Sequence, residues 1–154
     1  MWVIYCSQQL DGIAAAAIIL RYARLKNTKC RIAGFLEYVK IEEKFQEIQK
    51  HKNDLIFILD FSPEQIHNFE DKLKKISQNN KIAYWNCHHP YNAKTVNIMM
   101  KYVHSIDFSG AMKKTGKKEQ KLCSADMACN KFLPRDNTAQ KLRHLAHDIE
   151  FWIN

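Results

Sequence analysis

No apolar run in the chain approaches the roughly 18–20 residues that a membrane span needs, and Ile13 to Leu20 is cut off by Arg21 and Arg24. A spanning helix is therefore excluded. The apolar stretch Trp2 to Cys6 is too short for a secretory core and no basic segment precedes it, so no signal peptide is expected. The five cysteines, an odd number, lack the regular spacing of a disulfide framework and fit a reducing interior. No Cys-x-x-Cys pair supports a zinc site, and the four glycines form no glycine-rich motif. These absences together predict a soluble, cytoplasmic protein that meets no membrane.

What is present is enough apolar material for one core: 154 residues, 46% of them hydrophobic, make a single domain spanning 1–154. Trp2 to Cys6, Lys29 to Leu36, Asp54 to Asp60 and Lys81 to Asn86 are short runs rich in Val, Ile, Phe, Tyr and Trp, and each reads as a buried strand. Between them Asp11 to Lys26, Val39 to Lys52 and Ser62 to Ser77 have helical period, the last opening on Ser62-Pro63-Glu64. An amphipathic helix is expected from near Thr138 to Trp152. Alternating strands and helices give an α/β fold: an open, mostly parallel, Rossmann-like sheet with helices on both faces, because parallel neighbours need right-handed crossovers.

In such sheets ligands sit beyond the carboxyl ends of the strands. Asp11 follows the first strand after Ser7-Gln8-Gln9-Leu10, and Gly12 then allows close backbone approach before the alanines Ala14 to Ala17. Asp60 ends the third strand, and Asn86-Cys87-His88-His89-Pro90 follows the fourth. Oxygen and imidazole ligands from several strand ends suit manganese or magnesium. Each residue alone has a plainer role, an Asp before a helix being commonly an N-cap. The convergence of three polar clusters is what points to a site.

The net charge of +8 points to an acidic partner, either nucleic acid or an acidic protein surface. Lys113, Lys114, Lys117, Lys118 and Lys121 crowd one segment with Gly110 and Gly116, reading as a basic contact loop or, more plainly, a solubilising one. No aromatic residue interleaves with these lysines, so base stacking is not indicated. Arg143 and Trp152 are further candidate contacts, Trp152 reading equally as core.

The motif order resembles the DHH phosphoesterase superfamily, which includes RecJ exonucleases and oligoribonucleases. Its first motif, His-x-Asp-x-Asp-Gly, aligns with Ser7-Gln8-Gln9-Leu10-Asp11-Gly12; its second with Asp60; its third, Asp-His-His, with Cys87-His88-His89 followed by Pro90. Cys123-Ser124-Ala125-Asp126-Met127 resembles a family helix start, and Leu145-Ala146-His147-Asp148 the fourth motif, whose Asp is a metal ligand. By resemblance, Asp11, Asp60, His88 and Asp148 form a remnant site with room for one manganese or magnesium ion, none being required. His89 would steady a phosphate in an active relative.

Active relatives use two metal ions to generate and steady a hydroxide attack. Here Ser7, Gln9 and Cys87 stand where the family has His and Asp ligands, so the first metal position is expected to be lost. Zinc on Cys6 or Cys87 with His88 is a minor alternative. A second, substrate-clamping domain with its glycine-rich motif is also expected to be missing. Both departures resemble the catalytically degenerate archaeal RecJ-like branch, the counterparts of cell-division-cycle protein forty-five. That resemblance implies a nucleoid-associated, non-enzymatic scaffold in DNA replication: it binds the GINS complex, supports its association with the MCM helicase, and contacts DNA through the assembly. The competing expectation is a manganese-dependent phosphoesterase or exonuclease on short nucleotides or single strands.

Overall fold

A computed structural model describes residues 1–87, 92–107 and 121–151. The elements run β1 (Trp2–Ser7), α1 (Leu10–Leu25), β2 (Cys30–Leu36), α2 (Ile41–Ile48), β3 (Leu55–Leu59), α3 (Phe69–Ser77), β4 (Lys81–Trp85), α4 (Ala93–Tyr102), β5 (Ser105–Asp107), α5 (Ser124–Phe132) and α6 (Asn137–Glu150). All strands are parallel, in the order β2-β1-β3-β4-β5. The sheet is therefore the α/β type that the alternating pattern predicts.

Alternation along each strand divides the interior into two cores. Ile4, Cys6, Phe57, Leu59, Ala83 and Trp85 face one side, where α1, α5 and α6 pack. Val3, Tyr5, Ile56, Ile58, Ile82 and Tyr84 face the other, against α2, α3 and α4. Ala14, Ala15 and Ala16 are buried because α1 packs closely against the sheet and against α5 and α6, where larger side chains would hold these elements apart.

Two expected helices are shorter in the structure. The stretch from Val39 opens as a 3₁₀ turn over Tyr38–Lys40 before α2 and stops at Ile48. The stretch from Ser62 begins with a 3₁₀ turn at Pro63–Gln65, breaks at left-handed Asn68 (φ 51°) and resumes as α3. Asn is among the few residues that take this conformation readily, so the break is local chemistry that a period of 3.6 does not register. α4 and β5 were not expected from the sequence: Ala93–Tyr102 is capped by the Asn92 side chain, which accepts from the Thr95 N–H at 2.8 Å.

Arg21 and Asp136 tie α1 to α6. The guanidinium donates to both carboxylate oxygens at 2.8 Å, while Asp136 also caps α6 by accepting from Ala139 N–H at 2.9 Å. Arg21 first, and the capped backbone second, hold the Asp136 carboxyl down at about 2.

Candidate functional site

Asp11 and Asp60 meet at the carboxyl ends of β1 and β3, both buried. Asp60 has φ 54°, a left-handed conformation that costs a non-glycine residue about 1–2 kcal/mol. The strand tip is thereby bent so that the carboxylate turns back toward Ser7, whose hydroxyl donates to Asp60 Oδ2 at 2.5 Å. Gly12 permits the approach: a Cβ there would overlap Ser7 Oγ.

Asp11 is in the first turn of α1 and does not cap that helix, whose N-cap is Gln9. Its carboxylate serves another helix. Ser124 N–H donates to Oδ2 and Ala125 N–H to Oδ1, each at 2.7 Å, so Asp11 closes the N-terminus of α5 from a distance of 113 residues in sequence. The α5 dipole favours that negative charge, and both bonds are charge-assisted.

Cys87 completes the group. Its thiol lies 3.4 Å from Asp11 Oδ2 as donor, and Ser124 Oγ sits 3.4 Å from Asp60 Oδ1 and 3.5 Å from Cys87 Sγ. Burial, and then the Asp11 charge, push the Cys87 thiol well above its ordinary value. It is a protonated hydrogen-bond donor at neutral pH, not a thiolate. Asp11, Asp60 and Cys87 offer ligand atoms all within 4.8 Å of one another. Among the described residues this donor set does not fit a hard divalent cation, which takes about six oxygen ligands. There are two carboxylates, already accepting from backbone, hydroxyl and thiol donors, and a neutral sulfur in place of a third.

The remaining expected residues are distributed as follows. His88 and His89 lie outside the described residues, as do Lys113, Lys114, Lys117, Lys118 and Trp152. Lys121 is described and exposed. Gln9 is exposed at the head of α1, its backbone N–H 3.3 Å from Ser7 Oγ. Asp148 is not brought to the pair: it is exposed on α6, and the residue before it, His147, turns inward to place Nδ1 2.6 Å from Asp126 Oδ2. Cys6 is buried in the core, its thiol raised to about 12 by burial and by Asp60, and is not part of the Asp11, Asp60 and Cys87 group. Arg143 is not a free surface contact, since its guanidinium lies 3.7 Å from Asp126 and 3.3 Å from Asn130 Oδ1.

Sequence reading missed the polar knot around Asp126. Asp126 closes a capping box at the head of α5 by accepting from Cys123 N–H at 3.1 Å, and its contact with His147 joins α5 to α6. The Cys-x-x-Asp spacing carried that signal, because a capping box needs an acceptor three residues after the cap.

No family model matches the chain, and no curated protein matches it. Solved structures do match it, two of them as follows. CDC45 from Entamoeba histolytica is 16% identical, with a TM-score of 0.70 over 100% of this chain and 31% of that one. RecJ from Thermus thermophilus, in complex with Mn2+, is 14% identical, with a TM-score of 0.53 over 99% of this chain and 19% of that one. The chain shares its fold with these CDC45 and RecJ structures. It spans less than a third of the length of either protein. Asp11, Asp60 and Cys87, the three positions that the sequence resemblance aligns with successive motifs, fall together at the strand ends.

Proposed function

We propose that the chain is a non-hydrolysing DHH-fold scaffold of DNA replication, binding the GINS complex and supporting its association with the MCM helicase. The observation that carries this reading is the internal use of the two acidic motif residues. Asp11 anchors the N-terminus of α5 and Asp60 holds the Ser7 and Ser124 hydroxyls, so both carboxylates are employed in holding loops and helices together. Ser7 and Cys87, at positions where the resemblance puts metal ligands, act as neutral donors to those carboxylates. A site of this composition keeps its shape without an ion, and the work of the domain then falls to its surface. The basic segment holding Lys113, Lys117 and Lys121 supplies charge for an acidic protein face or for DNA held in the assembly.

The test is co-elution of the purified chain with archaeal GINS on a size-exclusion column at physiological salt. The proposal predicts one joint peak, weakened by Lys117→Glu. Separate peaks at micromolar concentration of both partners would remove it. Retention on DNA that falls steeply with salt, without GINS binding, would favour a nucleic-acid-binding module instead.

A second reading has its own support. Asp11, Asp60 and Cys87 cluster tightly enough to share one ligand, and the RecJ relative in fold is a complex with Mn2+. On that reading the chain would be a manganese-dependent phosphoesterase whose remaining ligands come from residues such as His88. Hydrolysis of a short oligonucleotide in manganese, abolished by Asp60→Ala, would establish it.

A further inference from the structure

The cations of this chain are not spread evenly. Every strand is parallel, so each connecting helix runs back against the sheet, and the ends of α1, α2 and α3 share one end of the molecule with the starts of β2, β3 and β4. That end lies opposite Asp11 and Asp60. Its three connections, 24–29, 50–54 and 74–81, hold eight of the chain's 24 Lys and Arg residues but one of its 16 acidic ones. All eight cations are exposed, and among the described residues none is paired with a carboxylate. The single acid, Asp54, has a side chain only 13% exposed and is engaged by the Met1 nitrogen at 3.0 Å and by His51 Nδ1 at 3.1 Å.

Backbone bonds hold these connections side by side. Trp2 N–H donates to the Lys29 carbonyl at 2.8 Å, Lys81 N–H to the Asp54 carbonyl at 2.9 Å and Asn53 N–H to the Asn79 carbonyl at 2.7 Å. Lys29, Lys52 and Lys81 therefore stand in a row across β2, β1, β3 and β4, about 14 Å wide at the usual strand spacing of about 4.8 Å. Arg24 flanks the row on the α1 face of the sheet, Lys74 and Lys75 on the α3 face. Cations in the last turn of a helix complement its dipole, which accounts for those three. It does not account for Lys29, Lys52 and Lys81, which lie outside any helix.

The centre of a protein interface is apolar and poor in lysine, whereas the one large hydrophobic exposed in these connections is Leu25. Between the cations stand Asn27, Asn53, Gln78 and Asn79, exposed amides able to donate to phosphate oxygens. No aromatic residue lies in the three connections, so nothing there stacks on a base. Like charges crowded without counter-charges repel one another, and a polyanion relieves that cost. We propose that the amino end of the sheet is a docking surface for the phosphate backbone of a nucleic acid, bound without regard to sequence. The inference does not rest on the scaffold reading, since this face carries its charge whether or not the chain binds GINS.

The test is fluorescence anisotropy of a dye-labelled single strand of about 20 nucleotides, and of its duplex, titrated with the full chain between about 50 and 200 mM salt. A row meeting about four phosphates predicts that log K falls with log salt at a slope of about 3–4 on the duplex and about 3 on the single strand. Lys29→Gln, Lys52→Gln and Lys81→Gln together, all exposed, should weaken binding about tenfold or more and cut the slope to about 1. Lys113→Gln, Lys117→Gln and Lys118→Gln together should leave affinity within about threefold, having removed none of these contacts. Loss of binding in the second triple variant and not the first would overturn the inference, as would absence of binding at the lowest salt. Phosphatidylserine vesicles bound as tightly as DNA, and released by the first triple variant, would overturn the assignment to nucleic acid. GINS co-elution is measured independently, so failure of the scaffold reading leaves this result standing.

Discussion

Replacing Asp11 by Asn separates a structural anchor from a metal ligand by the sign of the effect. If Asp11 were held beside Asp60 chiefly to await a cation, removing its charge would relieve repulsion between two buried carboxylates and stabilise the metal-free protein. The hydrogen bonds require the opposite. Both oxygens of Asp11 accept backbone N–H groups at 2.7 Å, and an Asn side chain can serve only one of them. The other N–H would face an amide NH₂. A buried N–H left without its acceptor costs about 1–3 kcal/mol, and weakening the surviving bond from a charged to a neutral acceptor about 1 more, so Asp11→Asn should cost about 2–4 kcal/mol in all. Against the roughly 5–15 kcal/mol total of an ordinary domain, the variant still folds. With a urea slope of about 2 kcal/mol per molar, its unfolding midpoint should fall by about 1–2 M at pH 7 in EDTA, with the slope unchanged. Asp60→Asn provides the contrast. Its Ser7 and Ser124 partners are hydroxyls that can rotate, and Asn tolerates the left-handed backbone there, so its midpoint should move by less than half as much. An Asp11→Asn midpoint equal to or above that of the unaltered protein would refute the anchoring role.

Alkaline pH should unfold the protein through its buried thiols. Burial first, and then a neighbouring carboxylate, push Cys6 up to about 12 and raise Cys87 and Cys123 as well, whereas an unfolded thiol ionises near about 8.5. Folded values above unfolded ones give stability that is complete below about pH 8 and lost as pH rises, so urea midpoints should hold between about pH 6 and 8 and drop from about 9; a midpoint rising through that range would contradict it. Asp136 behaves in the opposite sense: held down at about 2, it stabilises above the unfolded carboxylate value of about 3.9 and is lost as pH falls, so Arg21→Ala should flatten the acid limb of the stability profile. Gly12→Ala drives a Cβ into Ser7 Oγ and should lower stability by about 1–3 kcal/mol by thermal unfolding, with no effect expected only if Ser7 can leave Asp60 without cost. Asp126→Ala removes the cap of α5 and the His147 contact together and should cost about 2–4 kcal/mol by urea unfolding, with faster amide exchange at the start of α5; unchanged exchange there would refute the capping role.

The sheet was legible because β1, β3 and β4 are the chain's densest apolar runs and are buried along most of their length, whereas β2, expected to be a buried strand, is mostly exposed or half-buried because it lies at the sheet edge. Boundaries slipped where a local conformation intervened, as at Asn68, and β5 escaped notice because Ser105-Ile106-Asp107 is too short for any period. At the site, motif order pointed to Asp11 and Asp60, but no local pattern could say what they touch. The partners of Asp11 lie at Ser124 and Ala125, and those of Asp60 at Ser7 and Ser124, distances in sequence that only the packed fold closes. Asp148 illustrates the limit from the other side: a one-residue step along α6 turns a side chain by about 100°, and the fold turns His147 inward where the motif resemblance pointed to its neighbour.

The central claim is the proposal that the Asp11 and Asp60 carboxylates hold the fold together and do not serve hydrolysis. It is tested most directly by incubating the purified chain with an end-labelled oligonucleotide of a few residues in millimolar manganese and following cleavage over hours. The account predicts no turnover above the rate without protein. Cleavage that depends on manganese and disappears in Asp60→Ala would contradict it.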